Sequence, residues 1–177
     1  MIECEIRAFI SDEQYAALLD FFQKQGELIL EDEQETYYFD GEQDVRIQKN
    51  DHYAKVWLKK GKIHDEAREE IEIKCDRKDF EKLQKLFAAL QFTIKIKWLR
   101  KRKEFNWNGI KISLDITQGY GNIIELEKMT TEEEKEGTIQ LLKETLKELK
   151  IPLTAKEEFN KKFIFYTEHW RELIHEH

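Results

Sequence analysis

The chain has 177 residues, 38 % of them charged and 12 % aromatic, with a net charge of −7 and a pI near 5.4. That acidity argues against electrostatically driven nucleic-acid binding, and no apolar run approaches the ~18 residues of a membrane span. No basic-then-apolar segment opens the chain, and Cys4 and Cys75 lack a metal spacing, so a cytoplasmic protein with reduced, structural thiols is expected.

Residues 2–10 alternate charged and apolar side chains and predict a strand, with Glu3, Glu5 and Arg7 on one face and Cys4 on the other. Ser11 and Gln14 form a capping box for a helix over residues 13–25, closed by Gly26. Residues 28–39 read as extended, with Asp40-Gly41 as turn chemistry. A hairpin follows over 45–49 and 53–60 around Asn50-Asp51, then a strand over 68–75 that alternates Glu70 and Glu72 with Ile71 and Ile73. Asp76 caps a second helix over 78–90, whose Phe80, Leu83, Leu86, Phe87 and Leu90 make one apolar stripe.

Another hairpin spans 92–105 and 110–117 across Asn106-Trp107-Asn108-Gly109, and a strand over 122–128 follows the Gly119-Tyr120-Gly121 turn. Thr130 or Thr131 caps a third helix reaching about Leu149, and Pro152 separates a last helix between Ala155 and Ile174. The order predicts one α+β domain over 1–177 with a mostly antiparallel sheet and C-terminal helices over about 130–175.

Many strands carry charge on one face. Glu-x-Glu is common in a chain with 27 Glu, so context decides which pairs matter. Glu3/Glu5 and Glu125/Glu127 interleave with β-formers; Glu31/Glu33/Glu35 and Glu132/Glu134/Glu136 read as solvated faces. Only seven Arg accompany 23 Lys, yet Arg7, Arg46, Arg100 and Arg102 all fall on predicted strands, which suggests bidentate anion recognition. Two arrangements accommodate this charged face. It is the wetted side of an open antiparallel sheet, or it lines a closed tunnel in which the two Glu pairs face each other, forming a hard-metal site beside a multiply charged ligand.

Residue patterns support the tunnel. The Glu3-x-Glu5-x-Arg7 opening resembles the Glu-x-Glu-x-Lys signature of the CYTH superfamily, the triphosphate tunnel metalloenzymes. Asp115 through Glu127 resembles its closing block, an Asp, a Gly-hydrophobic-Gly turn and a run into Glu-x-Glu. Val45-Arg46-Ile47 is similar to its Arg-bearing third strand. Trp57-Leu58-Lys59-Lys60-Gly61 resembles its Lys-Gly strand end, with Lys60 the better match and Lys59 its neighbour; Arg100-Lys101-Arg102 is similar to its basic sixth strand. These blocks occur in order across about residues 1–128.

The resemblance implies a closed eight-stranded antiparallel β-barrel with helices packed outside, binding a triphosphate with Mg²⁺ or Mn²⁺. It implies metal ligation by Glu3, Glu5, Asp115, Glu125 and Glu127, and phosphate contacts from Arg7, Arg46, Lys60, Arg100 and Arg102. Glu5, Arg7 and Glu127 take the catalytic positions, in a metal-assisted attack of water on a terminal phosphorus. Hydrolysis of tripolyphosphate, thiamine triphosphate or a nucleoside triphosphate is favoured, because phosphate-binding groups are recognisable and base-reading groups are not. A class IV-type adenylyl cyclase and a non-catalytic polyphosphate- or nucleotide-binding module are the alternatives, with no nucleic-acid or membrane partner and a monomer or homodimer as the assembly.

Two departures stand out. Arg7 replaces the usual Lys and cannot lose its proton, and Gln48 stands where a second Arg often follows Arg46. Trp57, Trp98 and Trp107 are candidates to stack on a ring at a tunnel mouth, although core packing is the commoner role. Lys161 and Lys162 fall on the helix that in the family plugs or lines one tunnel end, while the five His form no ligand spacing.

Overall fold

A computed structural model describes residues 2–59 and 70–176. It contains β1 (Ile2–Ile10), α1 (Asp12–Gln25), β2 (Glu27–Phe39), β3 (Asp44–Lys49), β4 (Tyr53–Lys59) and β5 (Glu70–Asp76). The order continues with α2 (Phe80–Ala89), β6 (Ile94–Trp107), β7 (Ile110–Thr117), β8 (Gly121–Thr130), α3 (Lys135–Glu148) and α4 (Lys156–Leu173).

The eight strands form one antiparallel sheet in the order β1-β8-β7-β6-β2-β3-β4-β5. Among the described residues no backbone ladder joins β1 to β5, so the expected closed barrel is closed by curvature rather than by hydrogen bonds. The sheet curls until side chains from all eight strands line a single tunnel of about 390 Å³. At about 30 Å³ per water this is room for roughly a dozen waters, not a packed core.

Alternation places the apolar half of most strands outside, under the helices, whereas Ile71 and Ile73 of β5 stay more than half exposed. Cys4, Ile6, Ala8 and Ile10 of β1 join Ile112, Leu114, Ile124 and Leu126 in a core closed by Leu18 and Phe22 of α1 and Leu142 and Leu146 of α3. Each buried Ile, Leu and Phe of this core stabilises by roughly 1.5–3 kcal/mol through burial. A second cluster holds α2 on β2, β3 and β4 through Phe80 and Phe87. A third seats α4 through Phe159, Tyr166 and Trp170 on Trp98, Tyr120 and Ile123.

The Ser11–Gln14 capping box starts α1 as predicted, with both reciprocal hydrogen bonds present. Three expectations change. Asp76 caps a single 3₁₀ turn, Arg77–Asp79, that precedes α2. Leu86 and Leu90 are more than half exposed, so only part of the predicted α2 stripe is buried. The third helix begins at Lys135 without a side-chain cap, because β8 extends through Thr130.

Candidate functional site

The tunnel wall is built by strand register. Glu5 lies directly opposite Glu127, and Arg7 opposite Glu125, across the β1–β8 ladder. The two Glu-x-Glu pairs are therefore neighbours on one wall, not partners across the lumen, because the strands that carry them are hydrogen-bonded to each other. Lys59 of β4 approaches from the other end of the sheet, near enough for its charge to act on Glu3, Glu5 and Glu125.

This wall gathers repulsive charge. Burial, the neighbouring Glu127 and then Glu5 push the Glu3 carboxyl up to about 7, and Glu3 shares a hydrogen bond with Glu127. Burial and Glu125 likewise raise Glu5, against the pull of Arg7. Glu125 behaves oppositely. Burial would raise it, but Arg102, then Arg100, Arg7 and Lys59, hold it down to about 2.

The basic wall is tightly organised. Arg102, nearly buried, donates to Asp115 at 2.7 and 2.6 Å, to Glu125 at 3.2 Å and to Glu104 at 3.3 Å. Arg100 donates to Asp115 at 3.2 Å and to Gln34 Oε1 at 3.0 and 2.5 Å. Arg46 is fixed by the Asp44 fork at 2.7 and 2.5 Å, donates to the Tyr38 hydroxyl and lies 4.1 Å from that ring's centroid. Arg7 pairs with Glu5 at 3.1 Å and lies 5.1 Å from the ring of Phe159.

Glu3, Glu5, Arg7, Arg46, Arg100, Arg102, Asp115, Glu125 and Glu127 thus all line one cavity, as does Lys59; Lys60 lies outside the described residues. Asp115 is engaged by both Arg100 and Arg102. Gln48 is buried and donates to Thr36 Oγ1 at 2.8 Å, so the Gln joins a neutral network where an Arg was the alternative.

As a metal site the donor chemistry fits, since buried, mutually repelling carboxylates are hard oxygen ligands whose repulsion a divalent cation relieves. Among the described residues, however, no three His, Cys, Asp or Glu side chains stand ready to hold a metal ion together. Glu5 is turned to Arg7, Glu125 to Arg102 and Glu127 to Lys111 at 2.5 Å.

Sequence reasoning missed Lys55, Lys111, Gln34 and the aromatic lining of Tyr38, Tyr120, Phe159 and Phe163. Lys111 was legible, because it shares the two-residue spacing with Asp115 on β7. Lys55 pairs with Glu72 at 2.6 Å and stands 4.3 Å from the Trp57 ring; burial lowers its pKa despite that partner. Trp57 and Trp98 line the tunnel, whereas Trp107 packs on Phe21 and Phe22 of α1. Lys162 of α4 caps the Phe9 ring at 4.2 Å.

A curled antiparallel sheet whose lumen is lined by both carboxylates and guanidiniums defines a charged β-tunnel protein. The chain belongs to the CYTH domain family, whose model matches residues 1–164. It is 32 % identical to "Putative adenylate cyclase MJ0240" of Methanocaldococcus jannaschii, covering 85 % of this chain and 91 % of that protein. Its fold is similar to a conserved hypothetical protein from Pyrococcus furiosus, at 26 % identity and a TM-score of 0.72 over 85 % of this chain and 91 % of the other. It is also similar to "Putative adenylyl cyclase HpAC1" from Hippeastrum, described as having a dominant triphosphatase activity, at 21 % identity and a TM-score of 0.63 over 89 % and 93 % of the chains. No helix among the described residues is long and apolar enough to cross a membrane.

Proposed function

We propose that the chain hydrolyses a linear triphosphate held in the tunnel, with Mg²⁺ or Mn²⁺ as cofactor. The observation that carries this reading is the sharing of one cavity by four clustered carboxylates and four guanidiniums. A triphosphate with a divalent cation satisfies both signs at once: guanidiniums take phosphate oxygens and carboxylates take metal.

Glu3, Glu5, Glu125 and Glu127 would hold the cation, after Glu5, Glu125 and Glu127 turn from their present partners. When bound, it supplies charge neutralisation on the phosphate oxygens and polarises water. Arg46, Arg100 and Arg102 bind and orient the phosphates. Asp44, Asp115 and Gln34 keep those forks aimed, so little order is lost when the ligand arrives. Arg7, beside Glu5, offsets charge at the reacting end.

The M. jannaschii relative's name favours a second reading, cyclisation of ATP to cyclic AMP. Incubating the purified protein with Mg²⁺ or Mn²⁺ and ATP, thiamine triphosphate or tripolyphosphate separates the two. Free phosphate supports hydrolysis and cyclic AMP supports cyclisation; tight binding without turnover makes the tunnel a binding module. Unchanged turnover in Glu5→Gln and Glu127→Gln would refute the metal assignment.

A further inference from the structure

The sheet ends on β5, and among the described residues no strand pairs with the outer edge of Glu70–Asp76. At the opposite end the chain engages its own edge: the Phe9 backbone N–H of β1 donates to Thr154 Oγ1 at 2.8 Å. An open edge presents a row of unpaired backbone groups, which proteins ordinarily blunt with proline, a bulge or repelling charge. β5 contains no proline, and its pairing with β4 runs from Tyr53↔Asp76 to Lys59↔Glu70 without a register shift. Every residue of β5 but Cys75 is exposed.

The outer face beside this edge is apolar. Ile71 and Ile73 are 52 % and 63 % exposed, because α2 sits over β2, β3 and β4 instead. Phe80 meets Tyr37, Phe87 stacks on Phe39, and Gln84 bonds to Tyr37, which fixes that flank of α2 toward β2. Leu86 and Leu90 lie about 200° and 240° round the helix from Gln84. They therefore occupy the flank on the β5 side, and both are more than half exposed. Four aliphatic side chains border one strip along the open edge.

The charges on β5 select what can pair there. An antiparallel match of β5 with itself about a two-fold axis must centre on a residue, so that opposed side chains share a face. Three such registers pair five or more residues of the strand. Centred on Glu72, the match opposes Glu72 to itself; centred on Lys74, it opposes Lys74 to itself and Glu72 to Asp76. Centred on Ile73, it sets Glu72 against Lys74 of the partner subunit on both sides of the axis. Ile73 then meets Ile73 of the partner subunit, and Ile71 meets Cys75 of the partner subunit. Opposite charges directly across a ladder stabilise it, and like charges destabilise it. The like-charge match of this register, Glu70 with Asp76, falls at the strand ends, where Lys59 pairs with Glu70 and Lys78 with Asp76, each at 3.1 Å.

We propose that β5 pairs with β5 of a second copy in the register centred on Ile73, joining two sheets across a two-fold axis and covering Ile71 and Ile73 of both.

Sedimentation across a range of protein concentrations, with thiol cross-linking, tests it. The wild type passes from monomer to dimer as concentration rises. Lys74→Glu, at a side chain 58 % exposed, sets like charges opposite each other and weakens the dimer roughly tenfold, whereas Lys74→Arg keeps it. Directly opposed Cα atoms lie about 4.5–5.5 Å apart, within disulfide reach. Under mild oxidation Ile73→Cys therefore links to its own copy and Ile71→Cys links to the native Cys75, as mapped by mass spectrometry of the linked peptides. A monomer at every concentration, a dimer that Lys74→Glu leaves intact, or disulfides in other pairings would overturn the proposal.

Discussion

Replacing Arg102 by Met isolates the electrostatic core of the tunnel. The guanidinium is nearly buried and satisfies three carboxylates: Asp115 twice, Glu125 and Glu104. Without it Asp115 retains Arg100 at 3.2 Å, while Glu125 loses the cation that most lowers its pKa. Breaking a buried ion pair from one side costs about 3–5 kcal/mol, since the surviving charge stays buried. For a chain of this size that is a fall in Tm of roughly 6–20 °C. The sign with pH follows from Glu125. Its folded pKa, about 2 against an ordinary 4.5, contributes stability that is present above 4.5 and lost as pH falls through 2. The deficit of the variant is therefore full at pH 7 and shrinks toward pH 2. Urea unfolding of both proteins from pH 7 to pH 3 measures it, with Arg102→Met/Asp115→Asn/Glu125→Gln expected to recover much of the loss. A single variant as stable as wild type at pH 7, or a deficit independent of pH, would refute the reasoning.

Three further outcomes are expected. Because Glu3 is raised to about 7, it is largely protonated at pH 6 and ionised at pH 8.5. Mg²⁺ binding then releases more protons at pH 6 than at pH 8.5, measurable by calorimetry in buffers of differing ionisation enthalpy; equal release at both would count against Glu3 as a ligand. Gly119→Ala places a Cβ 2.5 Å from Leu173 Cβ at a φ of +72°, so it destabilises by roughly 2–3 kcal/mol and loosens the α4 plug; wild-type unfolding and hydrogen exchange in α4 would contradict this. Arg7→Lys supplies an amine that can titrate where a guanidinium cannot, so triphosphate turnover rises several-fold with Tm within about 2 °C; a fall in turnover shows that the fork on Glu5 is what the site needs.

Periodicity located much of the architecture. The two-residue alternation of residues 2–10 and 110–117 separates tunnel from core correctly, because one face of each strand must be apolar to bury under helices. The Ser11 capping box marked the start of α1, since its two hydrogen bonds are local. Where local signals were weaker than packing, the outcome differed: Thr130 continues β8 through its pairing with Ile2 instead of capping a helix.

The candidate site divides the same way. Residue type and spacing alone determined that Glu3, Glu5 and Arg7 share one face of their strand, as do Glu125 and Glu127, and Arg100 and Arg102, because successive side chains of a strand point to opposite faces. Their pairing was decided by the fold. Only the ladder shows that Glu5 sits beside Glu127, that Asp115 is clasped by two arginines and that Ile29 falls out of register. Those relations join residues up to 122 positions apart in the chain, Glu5 and Glu127, and spacing within a single strand carries no information about which strand lies beside it.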